Sequence, residues 1–340
     1  MNDDSHAPSG QDNMTGDGNS SEWTLTSEKL LPEGFHIPRE LIRQPSGRPV
    51  VEPDSVLGDS RRTYQAYKEG KYIMPNDEAE QERLDKQHYA FTLLMDGKLS
   101  WAPLTEPPAH AVDIATGTGV WALEFAKQYP ESMLIGTDLS RIQPDPAIPN
   151  CFFVKEDVED DWVFSHSFEY IHARFVNTCF DNPKMVISHA FKNLNPGGWI
   201  EYQDTAPQFL FMDGSLDGTA LGKWSDLCRQ GMAAMGKDAL VSAKYKFWFK
   251  EAVVNVTEKK IPWPCNGWPA DPRFQQVGKH QLQNILDGIR GVAWEMLKAA
   301  GMTPSEIESF IEQVKEEAQD KNTRFFMPVY VVYGQKPLVT

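Results

Sequence analysis

The chain has 340 residues, 41% of them hydrophobic, and carries a formal net charge of −15, so it can bury a full core as one large domain or two small ones. An acidic balance of this size argues against a nonspecific grip on nucleic acid phosphates or anionic lipid, and no basic run of five or more residues marks an import signal. No apolar stretch approaches the ~18 residues of a membrane span and the N-terminus lacks a signal-peptide core, so the expectation is a cytoplasmic protein.

Residues 1 to 25 hold five acids (Asp3, Asp4, Asp12, Asp17, Glu22) and no Lys or Arg, which predicts a disordered acidic tail. Residues 26 to 60 contain prolines and read as irregular. From 61 to 103 the pattern predicts a helical preface. Asp77, with Glu80 three residues on, has the form of a capping box, and Leu84, His88, Phe91 and Met95 follow at helical spacing.

The most informative stretch is His110 to Tyr129. A short buried-strand pattern (Ala111, Val112, Ile114) enters a turn with Gly117 and Gly119, then a helix with Trp121, Ala122, Leu123, Phe125 and Ala126. Gly117 to Ala122 also satisfies the dinucleotide pattern G-x-G-x-x-G/A. Asp138 closes the next apolar run, 138 − 119 = 19 residues past the second glycine, where a ribose-binding acid is expected for either ligand.

Three features separate the two. Asp113, at the end of the first strand, suits the amino group of an amino-acid-like ligand. Trp121 sits in the first helical turn, where a pyrophosphate needs access to free N–H groups. Glu156-Asp157-Val158, after the strand Cys151 to Val154, pairs acids with an apolar face suited to adenine. Together they point to S-adenosylmethionine.

Phe168 to Arg174 predicts a fourth strand lying beside the first where strand order reverses, which brings His172 and Arg174 to the ligand crevice. A helix over 184–194, the turn Asn195 to Gly198 and a fifth strand from Trp199 follow, and Gln203 and Asp204 leave that strand as candidates for an acceptor pocket. Residues 206 to 300 predict helices near 219–235, 240–252 and 275–300, a strand over 253–261, and a proline-stiffened loop, 261–272, with two tryptophans that pack on the helices or cover a substrate. Thr303-Pro-Ser-Glu306 is a capping box opening an amphipathic helix, and Arg324 to Gly334 is the last strand, with Pro328 where one ladder bond is not needed. Cys151, Cys179, Cys228 and Cys265 show no metal spacing and read as reduced thiols, with no metal expected.

At this point the chain resembles the class I S-adenosylmethionine-dependent methyltransferases, and within them the fungal group of LaeA-type regulators and small-molecule methyltransferases of secondary metabolism. The narrower resemblance rests on Arg62 to Tyr72, Pro75 to Glu78, Arg83 to His88, Phe168 to Arg174, Asn195 to Gln203 and Pro328 to Gly334, and covers roughly residues 61 to 337. It implies an α/β, Rossmann-like sheet of seven strands with helices on both faces. The last strand runs antiparallel between the fifth and sixth, and the preface and the 206–300 helices cover the site. One departure is Ala115, where the family's turn begins with glycine.

In this reading Asp138 holds the ribose, Asp157 and Val158 the adenine, and the Ala115, Gly117 and Gly119 turn, with Asp113, the methionine end, while Arg174 is a further cofactor-binding candidate from the crevice. Tyr64, Tyr67 and Tyr72 of the preface offer rings to the sulfonium and hydroxyls to the carboxylate, with Tyr64 and Tyr72 the cofactor-binding candidates. The expected reaction is methyl transfer to an O, N or S nucleophile of a small molecule. If the acceptor is a hydroxyl, His172 is the first candidate base and His88 the second. The alternatives are a LaeA-like regulator acting through a protein complex, with a nuclear location, and a cofactor-binding cyclase on the same fold.

Overall fold

The computed structural model describes residues 55–145, 148–212 and 217–338; the expected acidic tail and nearly all of the irregular 26–60 segment lie outside the described residues. A small antiparallel pair, β1 (Ser55–Leu57) and β2 (Thr63–Gln65), precedes helix α1 (Glu78–Leu94). Asp77 caps α1 by accepting from the Glu80 backbone N–H at 3.0 Å. The same carboxylate pairs with Arg62, tying the hairpin to the helix. Glu80 does not complete the box. Its side chain turns inward to accept from Arg83 Nη2 at 2.6 Å and Nε at 3.0 Å.

The doubly wound half follows: β3 (His110–Ile114), α2 (Val120–Gln128), β4 (Met133–Asp138), β5 (Cys151–Lys155), β6 (Phe168–Arg174), α3 (Pro183–Asn193) and β7 (Leu194–Thr205). These strands are parallel, in the order β5, β4, β3, β6, β7, so the reversal of strand order falls between β3 and β6 as the sequence predicts. Asn195 to Gly198 lies inside the span of β7, where Gly197 takes a φ of 80° as the strand shifts register against β6.

Beyond β7 the chain forms β8 (Leu210–Phe211), α4 (Ala220–Ala234), a turn of 3₁₀ helix at Val241–Lys244, α5 (Tyr245–Ala252), β9 (Val254–Pro264), α6 (Pro272–Ala299), α7 (Pro304–Gln319) and β10 (Phe325–Gln335). Strand β10 pairs antiparallel with β7 on one side and β9 on the other, the arrangement the family resemblance implies. Among the described residues the sheet has eight strands, the two-residue β8 adding to the expected seven by pairing with Phe325 and Phe326 at the start of β10. Pro328 faces Pro262 of β9, so two missing N–H groups fall on one rung.

Two packing events place the cover over the sheet. Helices α4, α6 and α7 form their own core around Trp224, Ile289, Trp294, Phe310 and Ile311. Helix α1 then crosses α6, where Gly288 is required: a Cβ there would sit 2.1 Å from Arg83 Cδ. Trp263 is fully buried against Phe91 and Phe175 at ring distances of 5.3 and 6.0 Å, and Trp268 donates its indole N–H to the Phe325 carbonyl at 2.8 Å. Strand β9 runs on to Pro264, so Trp263 belongs to the sheet rather than to the expected loop, and both tryptophans are packing residues. Burial of a large apolar side chain contributes about 1.5–3 kcal/mol, enough for Trp263 and Phe91 to hold α1 on the sheet.

Candidate active site

Two cavities open above the C-terminal ends of the parallel strands, and they share Tyr72, Leu84, Gln87 and Phe175. The first is lined by the turn Ala115–Thr118, by Asp138 and Ser140 after β4, by Glu156–Val158 after β5, and by His172 and Arg174 of β6. Alternation along parallel β6 puts His172 and Arg174 on one face, with Asp113 opposite His172 in the register.

The turn is braced by the ribose candidate itself. Asp138 Oδ2 accepts from the Gly117 N–H at 2.8 Å and Oδ1 from the Ser140 N–H at 2.9 Å, which fixes the carboxylate at the cavity wall. Ala115 has a φ of 53°, the left-handed region that favours glycine, so the family's glycine reflects backbone conformation more than the crowding expected from a methyl group. Gly119 corrects an expectation. It does not line either cavity; a Cβ there would lie 2.5 Å from Phe153 Cζ, so its role is to let β5 approach the turn.

Asp113 lines the first cavity, but both of its oxygens are engaged, Oδ1 with His172 Nδ1 at 2.7 Å and Oδ2 with the Thr116 hydroxyl at 2.6 Å. Those bonds fix its orientation, as the backbone bonds of Asp138 fix that carboxylate, and leave lone pairs on both oxygens toward the cavity. Trp121 lines the same cavity from the first turn of α2. Its ring lies flat on His172 at 3.6 Å and its N–H reaches the Leu99 carbonyl at 3.0 Å, which holds it between the core and the cavity wall.

Neither histidine is presented as a base. His172 is completely buried beneath Trp121, with Nδ1 donating to Asp113 and Nε2 sealed without a partner among the described residues. His88 bridges two groups: Nδ1 accepts from Arg174 Nη2, which leaves the proton on Nε2 to be donated to Glu124 at 2.8 Å. Burial, and then the Arg174 charge, hold the His88 pKa below the usual imidazole value, so it is neutral at pH 7. Glu124 is held low in turn; burial pushes its pKa up, but the His88 hydrogen bond and nearby cations outweigh it.

Arg174 stands at the end of this chain. Its guanidinium lies over the rings of Phe91 (5.4 Å) and Phe175 (5.7 Å) and makes no ion pair among the described residues. Burial lowers its pKa to about 10, which still leaves it cationic at neutral pH. A surface ion pair, the ordinary role for such a residue, is thus excluded. The arrangement is a partly buried cation aimed by a neutral histidine, ready for an anionic group.

Asp157 was expected to meet adenine directly. It is 2% exposed and clamped by Lys68 and Lys71, with Lys71 also on Glu159 at 2.7 Å. Burial raises the Asp157 pKa, but these lysine bonds more than offset it. Asp157 thus straps the preface across the cavity, while Val158 and Ile142 supply apolar wall and Glu156, its pKa raised by burial and by Asp160 and Asp157, remains at the rim.

Of the tyrosines, only Tyr72 reaches the site, where it lines both cavities. Tyr64 bonds Ser60 through its hydroxyl at 2.8 Å and Tyr67 is half-exposed beneath Lys155, so neither faces the ligand. Gln203 and Asp204 are likewise misplaced as acceptor residues. Gln203 donates to the Leu99 carbonyl and Glu201, and Asp204, on the opposite face, accepts from Val176, Asn177 and Tyr245. The residues the sequence reading missed are Thr116, Thr118, Ser140, Cys179 and above all Phe175, whose position directly after a crevice-facing arginine was the available signal. Among the described residues no cluster of metal-binding side chains occurs, and no helix is long and apolar enough to cross a membrane.

The family model for a methyltransferase domain matches residues 87–258. The chain is 34% identical to the probable methyltransferase tdiE of Emericella nidulans over 76% of this chain and 82% of that protein. It is 32% identical to the methyltransferase pytC of Aspergillus terreus (81% and 86% covered) and 28% identical to the protein-methionine methyltransferase laeA of Emericella nidulans (82% and 76% covered).

Proposed function

We propose that this chain, which belongs to the methyltransferase family, methylates a small molecule held in the second cavity while S-adenosylmethionine, its methyl donor, occupies the first. The observation that carries this reading is the meeting of two built cavities at Tyr72 and Phe175, one lined by opposed charges and the other largely apolar. The first fits a zwitterionic sulfonium nucleoside. Arg174 is a cation without a carboxylate partner among the described residues, suited to the methionine carboxylate, and Tyr72 offers a ring at the junction where the sulfonium would lie.

When bound, the cofactor supplies an electrophilic methyl group. The chain's own part is alignment and exclusion of water. Asp138 takes the ribose hydroxyls, Val158 and Ile142 flank the base, and the Lys68 and Lys71 strap on Asp157 closes that end. With His88 and His172 both committed, no imidazole among the described residues lining the cavities is left to deprotonate the acceptor, which supports an O, N or S nucleophile that reacts without a histidine base. The lined second cavity favours a small-molecule methyltransferase of secondary metabolism over a regulator acting through a protein complex. A cytoplasmic location is supported by the four free cysteines, three of them buried.

The test is transfer of a tritiated methyl group from S-adenosylmethionine in the presence of extract from a deletion strain. Label in the small-molecule fraction is expected. Label only in protein would favour the regulatory reading, and tight cofactor binding with no label anywhere would favour a cyclase.

A further inference from the structure

The second cavity lies between α1, α4 and α6 and the ends of β6 and β7. Its walls are mostly rings and aliphatic or thioether chains: Tyr72, Phe175, Phe209 and Trp224, with Ile289 and Met296. No Asp or Glu lines it, and its one cation, Arg83, is neutralised by two bonds to the buried Glu80 carboxylate. A charged acceptor would therefore be buried there without a partner, which is costly.

Gln87, Asn177, Thr178 and Thr205 also border the cavity, and the Trp224 indole N–H has no partner among the described residues, but one polar group is held in place by a relay that begins at a cation. Arg83 Nη1 donates to Asn284 Oδ1 at 2.8 Å, and Asn284 Nδ2 donates to Gln281 Oε1 at 3.0 Å. With its oxygen occupied, Gln281 has only its NH₂ group left to offer. That group has no partner among the described residues, although Gln281 is only 1% exposed and lines the cavity. A relay that starts at a cation and ends in a buried, unused donor is a receptor for a hydrogen-bond acceptor.

We propose that the second cavity binds the methyl acceptor as an uncharged, ring-bearing molecule that sets a carbonyl oxygen or ring nitrogen against the Gln281 amide. This deepens the reading of the second cavity as the acceptor site and rests on it. The flat rings of Phe175 and Tyr72 at the junction then orient the molecule's reacting edge toward the first cavity.

The full chain, saturated with S-adenosylhomocysteine, is titrated by calorimetry with three probes of similar size: coumarin, naphthalene and naphthoate. Coumarin is expected to bind, and naphthalene, lacking the acceptor oxygen, and naphthoate, bearing an unpaired charge, to bind at least about tenfold more weakly. Gln281→Leu should erase coumarin's advantage over naphthalene. Val292→Trp, which fills the cavity from α6, should weaken coumarin about tenfold or more while S-adenosylhomocysteine affinity is unchanged. Naphthoate binding as well as coumarin, Gln281→Leu leaving the preference intact, Val292→Trp without effect, or no binding by coumarin would each overturn the proposal. Titrating S-adenosylhomocysteine alone keeps the first cavity's assignment separate, since its failure there would leave the coumarin results to be read on the free protein.

Discussion

Replacing Arg174 by methionine removes the guanidinium while keeping a chain that still fills the space over Phe91 and Phe175. At about 4 Å a guanidinium and a carboxylate attract by ~4 kcal/mol at an effective dielectric near 20. Desolvation of both groups takes back part of this, leaving about 1.5–3 kcal/mol, the usual worth of a hydrogen bond to a charged group. Affinity for S-adenosylhomocysteine should therefore fall by about 10- to 150-fold. Methylthioadenosine has the same sugar, base and sulfur but no amino-acid tail, so its affinity should change by less than about twofold, within the error of such additivity arguments. Calorimetry on both ligands with both proteins closes a cycle in which only the arginine–carboxylate coupling survives. The substitution also removes the donor to His88 Nδ1 that holds the proton on Nε2, so circular dichroism checks that the fold is kept, and the methylthioadenosine titration carries any effect transmitted through His88 and Glu124. Equal losses for the two ligands, or none, would refute the assignment of Arg174 to the carboxylate.

Three further outcomes follow from geometry described above. Asp138→Ala should weaken S-adenosylhomocysteine by about 1.5–3 kcal/mol, since it removes a charged acceptor that also tethers the Gly117 N–H; unchanged affinity by calorimetry would count against it as the ribose ligand. Ala115→Gly should raise stability toward urea by about 1 kcal/mol by relieving the left-handed backbone at φ 53°, and a loss of stability would contradict that account. Burial raises Asp204 to about 7 against an ordinary 3.8, so from about pH 4 to pH 7 the folded chain keeps a proton that the unfolded chain has released. Its contribution to stability thus falls as pH rises through that window, by at most about 1.4 kcal/mol per pH unit, and urea melts of Asp204→Asn should show a correspondingly flatter profile.

The strand, turn and helix from His110 to Tyr129 were legible because period and glycine placement are local properties. So were the Asp77 and Thr303 caps, the latter a full box with Thr303 and Glu306 bonding each other's backbone N–H. The ends of parallel strands were legible too, which is why Asp138, Val158 and Arg174 all border the cavity. Partners distant in sequence were not. Nothing near Asp157 announces Lys71, which lies 86 residues away, and nothing near His88 announces that Arg174 and Glu124 will occupy both of its nitrogens. Tyr64 and Tyr72 are equivalent as letters; only the path of the chain after β2 sends one to Ser60 and the other to the cavity. The facing of Gln203 and Asp204 failed for a related reason, since a strand's end does not reveal which neighbour will claim a side chain first.

Strand β10 sits between β7 and β9, so it joins two stretches of sheet through a segment distant in sequence from both. Among the described residues β9 has no other hydrogen-bonding neighbour, and Met327 of β10 is part of the second cavity's wall. Until β10 docks, a refolding chain therefore lacks one wall of the acceptor half and presents β9 as a bare edge, and that interval is when edge-to-edge aggregation should compete with folding.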